Sequence, residues 1–240
     1  FTVSFGLFPP TPYLLEDAIY RIYEKLGWDL ATGSPPPGRG RLAFPTLADL
    51  LREIDSVIAE AGYDSEVRRN LSGALRTRIG NLCVGAKGVT LDTRFNIPES
   101  HLFETSTLLN LSSLGSDDEK ALIMGLVLAR LYEHRLVSSS STGDDGLIHL
   151  LVIEEAHRLL KKTGEKSSEE GNMAHQAVES FSNMIAEIRA FGEGVMIAEQ
   201  LPTKLSPAVI KNCGLRLSHR LSLKEDRDLM GDSMVMTDEQ

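Results

Sequence analysis

The sequence predicts an α/β protein with a mainly parallel sheet, joined to a mainly helical N-terminal part. After Gly88, short apolar runs alternate with long segments of helical periodicity, which is the order of parallel strands connected by helices. The runs are continuously apolar, as is typical of strands covered on both faces. Before Gly88, apolar residues recur at helical spacing. We therefore place a helical subdomain at residues 1–88 and a sheet-containing domain at residues 89–240.

The elements follow from the same patterns. Thr11 and Pro12 are typical of a helix start, and Gly27 ends the apolar repeat that follows them. Further helices are predicted over residues 47–58, 67–79, 117–136 and 174–190. Strands are predicted over residues 107–111, 148–153, 194–198 and 215–221.

Composition limits the class of protein. The chain has 240 residues, 42% of them hydrophobic and 25% charged, as in ordinary soluble proteins. It has neither a signal-like N-terminus nor the run of about 20 apolar residues that a membrane helix needs, so we expect a cytoplasmic protein without a membrane partner. The net charge of −9 gives no sign of a nucleic-acid-binding face, although a ring could concentrate basic residues in its pore.

Two adjacent acids follow one predicted strand, in the stretch LLVIEEAHRLL at residues 150–160. Ligands of open parallel sheets bind at the carboxyl ends of the strands, where Glu154 and Glu155 are expected. In nucleotide hydrolysis, the first acid of such a pair orients Mg²⁺ through water and the second polarises the attacking water. The alternative is that both acids open a helix, whose N-terminal dipole favours negative charge.

The next strand, in GVMIAEQLP, also ends in a polar residue, Gln200. An amide there could contact a γ-phosphate or the attacking water, and simple solvation is the alternative. Polar residues at two neighbouring strand ends favour the first interpretation.

Several segments resemble the HerA branch of the HerA/FtsK superfamily of P-loop DNA-translocating ATPases. They are HLLVIEEAHRLL, NMIAEIRAFGEGVMIAEQLPTKLSPAVIKNCGLRLSHRL, PPTPYLLEDAIYRIYEKLGWD and TLLNLSSLGSDDEKALIMGLVLARLYEHR, and they are distributed along nearly the whole chain, from residue 9 to residue 221. The resemblance implies a RecA-like P-loop NTPase core with a helical insertion. It also implies a hexameric ring that hydrolyses ATP with Mg²⁺ to move double-stranded DNA, often alongside a nuclease.

The resemblance also assigns roles to residues. Glu154 takes the position of the Walker B acid, which is more often Asp, and Glu155 that of the catalytic base. Gln200 matches the sensor glutamine; Glu199 stands where relatives often have a small polar residue or Asp, which leaves the local charge open.

Arg189 resembles an arginine finger that reaches the nucleotide of a neighbouring subunit, and Arg220 is a second candidate. A cation near a helix C-terminus is the alternative for Arg189.

Other polar residues near the acids admit two interpretations each. His157 could orient the acids or link them to DNA, or it could be a solvated histidine. Lys161, Lys162 and Lys166 border a polar loop where they could contact phosphates, or they could be solvated.

The phosphate-binding motif GxxxxGK[ST] does not occur in the sequence. In the family it lies upstream of the helical insertion, so we expect this chain to be a piece of a longer protein, with a sheet that lacks the phosphate-loop strand. We expect the parent to be an ATPase and this piece alone to be inactive. Two alternatives remain: a type IV secretion or conjugation motor of the same superfamily, and a non-catalytic assembly module with structural acids.

Overall fold

The computed structural model describes residues 1–7, 9–138, 146–163 and 169–236, with side chains from residue 175 onward in the last range. In chain order, its helices and strands are α1 (Thr2–Phe5), α2 (Thr11–Leu26), α3 (Leu47–Glu60), α4 (Ser65–Leu82), α5 (Gly85–Leu91), α6 (Glu99–Phe103), α7 (Asp117–Ser138), β1 (His149–Glu154), α8 (Glu169–Glu187), β2 (Glu193–Ala198), α9 (Pro207–Asn212) and α10 (Lys224–Met234). The fold is thus mixed α/β and mainly helical. It divides into a helical unit, Leu7–Ile97, and a sheet unit made of Phe1–Gly6 and Pro98–Gln240. The sequence-based boundary at residue 88 falls inside the helical unit.

The helical unit is built on α2, α3 and α4, which pack against one another in sequence order. The predicted helices are confirmed, with ends that differ by a few residues. Helix α2 ends at Gly27, whose φ of 93° is left-handed and favours glycine. Helix α3 begins at a capping box, in which the Thr46 side chain accepts from the Asp49 N–H and the Asp49 carboxylate accepts from the Thr46 N–H.

The sheet unit contains two parallel strands, β1 and β2, paired so that Glu154 lies opposite Ala198. Both strands match predicted ones. One face of this sheet packs on α7 and α8 through a buried cluster that includes Leu128, Ile153 and Val178.

The other face of the sheet exposes apolar side chains. Leu150, Val152 and Met196 are 45%, 52% and 52% exposed. The expectation of a sheet covered on both faces is therefore wrong for the part of the chain that the structure describes. The continuous apolar runs indicated that both faces of the strands are hydrophobic. They could not indicate whether another element of the structure packs on each face.

The strands predicted over residues 107–111 and 215–221 are also wrong, because those segments have no regular secondary structure. Leu108, Leu215 and Leu217 are 91%, 78% and 87% exposed, so the apolar residues that suggested strands are not in a core. A strand requires a hydrogen-bonded neighbour, and within the described residues only β1 and β2 pair as strands.

Helix α8 ends at Glu187 rather than continuing to residue 190, and a 3₁₀ turn over Ile188–Phe191 leads into β2. At the opposite end of the sheet from the acids, the buried carboxylate of Glu193 contacts two nitrogen-bearing side chains. The Arg135 Nε donates to it at 2.8 Å, and the His149 Nδ1 lies 2.5 Å from it. This cluster fixes the start of β2 against α7 and β1.

None of the helices in the described ranges combines the length and the hydropathy that crossing a bilayer requires.

Candidate functional site

The carboxyl ends of β1 and β2 bring Glu155 and Gln200 into direct contact. The Glu155 backbone N–H continues the ladder by donating to the Ala198 carbonyl at 3.0 Å. From the neighbouring strand end, the Gln200 side-chain amide Nε2 donates to the Glu155 Oε1 at 3.1 Å. Two residues 45 positions apart in sequence therefore form one polar pair at the edge where parallel sheets bind ligands.

Glu155 adopts an unusual backbone conformation. Its φ of 53° and ψ of 43° lie in the left-handed region, and a single 3₁₀ turn, Ala156–Arg158, follows it. For a residue with a Cβ this conformation costs about 1–2 kcal/mol. Glu155 is the N-terminal cap of this turn and no α-helix starts there, so the helix-opening alternative holds only for a single 3₁₀ turn.

Glu154 is the last residue of β1, and its side chain is exposed. A carboxylate in this setting can bind Mg²⁺ through a water molecule, since Mg²⁺ prefers oxygen ligands and retains several of its waters. Its accessibility therefore fits the role that the resemblance implies.

Glu199 is a residue of this site that sequence reasoning did not assign a role. Its side chain is 5% exposed. The Oε1 accepts from the backbone N–H groups of Gln200 and Leu201 at 2.8 and 3.0 Å. The Oε2 accepts from the His157 backbone N–H at 3.1 Å and lies 2.8 Å from the His157 Nδ1.

These contacts keep Glu199 ionised. Burial raises the pKa of the Glu199 carboxyl, but the Leu201 N–H, the His157 ring and the His157 N–H together outweigh it and hold the pKa below its ordinary value. A charged Glu199 therefore ties the end of β2 to the turn after β1.

His157 and Arg158 form the other side of the site. The His157 Nε2 lies 3.8 Å from the Glu155 Oε2, and an Arg158 Nη2 lies at the same distance from that oxygen. Arg158 also forms an ion pair with Asp117 at the start of α7. The Glu155 carboxylate is thus bordered by Gln200 at one oxygen and by two nitrogen-bearing side chains at the other.

The carboxylates of Glu155 and Glu199 and the ring of His157 present ligand atoms within 4.8 Å of one another, a spacing that could suggest a metal ion. The hydrogen bonds of Glu199 indicate another role for its carboxylate. Both oxygens of Glu199 already accept two contacts each, so this carboxylate is better suited to orienting His157 than to binding a metal directly.

The two candidate arginines lie away from this cluster of contacts. Arg189 is exposed in the 3₁₀ turn before β2, and Arg220 is exposed in an irregular segment. Among the described residues, no hydrogen bond or ion pair joins either arginine to Glu154 or Glu155.

Beside His157 lies an open cavity of about 290 Å³ with a basic wall. Lys161, Lys162 and Lys204 line this wall together because their chain segments are hydrogen-bonded. The Lys162 N–H donates to the Lys204 carbonyl at 2.7 Å. Asp117 and Asp118 form an acidic wall of the same cavity. Lys166 lies outside the described residues.

Comparison with known proteins returned no match: no protein-family model matches the chain, and no curated protein or solved structure is significantly similar to it.

Proposed function

We propose that this chain is part of an ATP-driven motor of the HerA type, which translocates or unwinds double-stranded DNA. In this proposal it belongs to a RecA-like P-loop NTPase core and carries the Walker B, sensor and arginine-finger elements. The observation that carries the proposal is the 3.1 Å hydrogen bond between Gln200 and Glu155 at the carboxyl ends of adjacent parallel strands.

The proposed chemistry assigns a different task to each residue. Glu155, whose side chain is 35% exposed, accepts a hydrogen bond from the attacking water and orients it toward the γ-phosphate of ATP. Gln200 senses the γ-phosphate from the neighbouring strand end. Glu154 holds Mg²⁺ through water, and the ion supplies charge neutralisation at the phosphates.

In the proposal, Arg189 acts on the nucleotide of a neighbouring subunit in a hexameric ring, with Arg220 as the second candidate for the same task. The exposure of both side chains supports an action outside their own subunit. An arginine supplied in this way accelerates phosphoryl transfer by about 10³- to 10⁵-fold. A nuclease partner belongs to the same proposal.

The 240 residues contain no GxxxxGK[ST] loop, and backbone N–H groups of such a loop are what hold the β- and γ-phosphates. The proposal therefore assigns ATP hydrolysis to a protein that also supplies such a loop, and we expect the chain of residues 1–240 to be inactive by itself.

The test is ATP hydrolysis by the full-length natural protein. Glu155→Gln keeps the shape of the side chain but removes its charge, so we expect turnover to fall by about 10²- to 10⁴-fold while ATP binding is retained. Glu179→Gln, an equivalent change at an exposed position of α8, is the control and should leave the rate unchanged. Wild-type turnover by Glu155→Gln would refute the assignment of the base.

A further inference from the structure

Directly after β2 lies an acid, Glu199, whose side chain is 5% exposed and contacts the turn after β1. The Glu199 carboxylate accepts hydrogen bonds from the backbone N–H groups of residues 157, 200 and 201. Residue 157 follows β1 and the other two follow β2, so the carboxylate links the two strand ends. A carboxylate that only stabilised β2 would need just the contacts from its own strand. The two contacts with His157 show that it also fixes the neighbouring turn.

The contact between the His157 ring and the Glu199 carboxylate indicates which ring nitrogen carries a hydrogen. An ionised carboxylate is only an acceptor, so the nitrogen 2.8 Å from the Glu199 Oε2, Nδ1, must carry the hydrogen. Because the backbone N–H of His157 donates to the same oxygen at 3.1 Å, both the main chain and the ring are fixed. The side chain of His157 is 17% exposed, which leaves the ring little freedom.

The opposite edge of the ring faces the site. The Nε2 of His157 lies 3.8 Å from the Glu155 Oε2, so the ring faces this carboxylate at a distance beyond a hydrogen bond. The other oxygen of Glu155 is occupied by Gln200, which neighbours Glu199 in sequence. Glu199 is therefore linked indirectly to both oxygens of Glu155. Its sequence neighbour Gln200 contacts one oxygen, and the ring of His157, which Glu199 holds, faces the other.

We propose that Glu199 and His157 are positioning residues that set the orientation of the Glu155 carboxylate and couple it to the sensor end of β2. This inference rests on the proposed ATPase function of the same site. A shift of Gln200 toward a γ-phosphate would move Glu199 with it, and His157 would transmit that shift to Glu155. The base would then be aligned when nucleotide is present.

Two substitutions of His157 distinguish the contribution of Nδ1, which faces Glu199, from that of Nε2, which faces Glu155. In His157→Asn, the amide can replace Nδ1 as donor to Glu199 but cannot reach Glu155. In His157→Gln, the longer amide reaches the position of Nε2 but does not reproduce the Nδ1 contact. If the ring acts by positioning Glu155, the Gln variant keeps more activity than the Asn variant; if it acts only by supporting Glu199, the order is reversed.

The experiment measures kcat and KM for ATP, together with the melting temperature, in the full-length natural protein. We expect His157→Asn and Glu199→Gln to lower kcat by about 10- to 100-fold, as a displaced catalytic group does, with an unchanged KM. We expect His157→Gln to lie between His157→Asn and the wild type. His101→Asn, at an exposed position of α6, is the control and should match the wild type.

The outcomes distinguish this inference from the function on which it rests. Wild-type kcat in His157→Asn, or an activity order reversed between the Asn and Gln variants, overturns the positioning role while an inactive Glu155→Gln still supports the ATPase. Full activity in Glu155→Gln instead overturns the proposed function. As a check without nucleotide, ¹⁵N NMR of the wild type should show a protonated Nδ1 on His157, and a bare Nδ1 contradicts the inference.

Discussion

Glu155 combines backbone strain with a place directly after β1, in the candidate site. Its left-handed φ of 53° directs its side chain to Gln200 while Glu154 remains at the exposed end of β1. Glycine would adopt this conformation without steric strain. Because strained conformations cluster at functional sites, a glutamate in this conformation supports the role proposed for its carboxylate.

Replacing Glu155 should therefore separate stability from activity. Glu155→Ala and Glu155→Gly both remove the carboxylate, but only Gly relieves the left-handed strain. We expect the Gly variant to have a free energy of unfolding about 1–2 kcal/mol higher than the Ala variant, as measured by urea denaturation. Neither variant should hydrolyse ATP in the full-length protein, and equal stabilities would show that the backbone at residue 155 is unstrained.

At the scale of elements, the site depends on how closely α7 and α8 approach the turn after β1. Gly125 lies in the middle of α7, where a Cβ would lie 3.0 Å from the Phe181 Cζ and 3.4 Å from the Leu159 Cδ1. Leu159 immediately follows the turn that holds His157 and Arg158. Close packing at Gly125 thus supports the chain segment that carries the site.

A larger residue at this contact should destabilise the sheet unit. We expect Gly125→Val to lower the free energy of unfolding by about 1–3 kcal/mol through overpacking. Gly73→Val is the matched control, because Gly73 lies within α4 with open space around it. Urea denaturation followed by circular dichroism should show no loss of stability for the control, and an equal loss in both variants would contradict the packing argument.

For the whole molecule, sequence patterns predicted those features that depend on local repeats. The apolar spacing of α2 and α3 and the continuous runs of β1 and β2 are properties of single segments, and those elements are confirmed. The segments 107–111 and 215–221 carried similar runs, but a strand also needs a pairing partner, which a single segment does not encode.

The site shows the same limit. Acids and a glutamine at strand ends were visible in the sequence. The contacts of Glu199 were not, because they depend on the parallel register, which brings Glu199 beside His157, 42 positions away in sequence. An acid next to Gln200, and a histidine two positions after Glu155, were the only local signals of that contact. The left-handed conformation of Glu155 could not be predicted, because glutamate rarely adopts it.

We propose that Glu155 and Gln200 act as one unit of an ATP-hydrolysis site. The most direct measurement is a double-mutant cycle on single-turnover ATP hydrolysis by the full-length natural protein, with Glu155→Gln, Gln200→Ala and both together. Gln176→Ala, at an exposed position of α8, serves as the control. Because residues of one catalytic unit are strongly non-additive, we expect the double variant to be no slower than Glu155→Gln alone. Losses that multiply, or a Gln200→Ala variant as fast as the wild type, would contradict the claim.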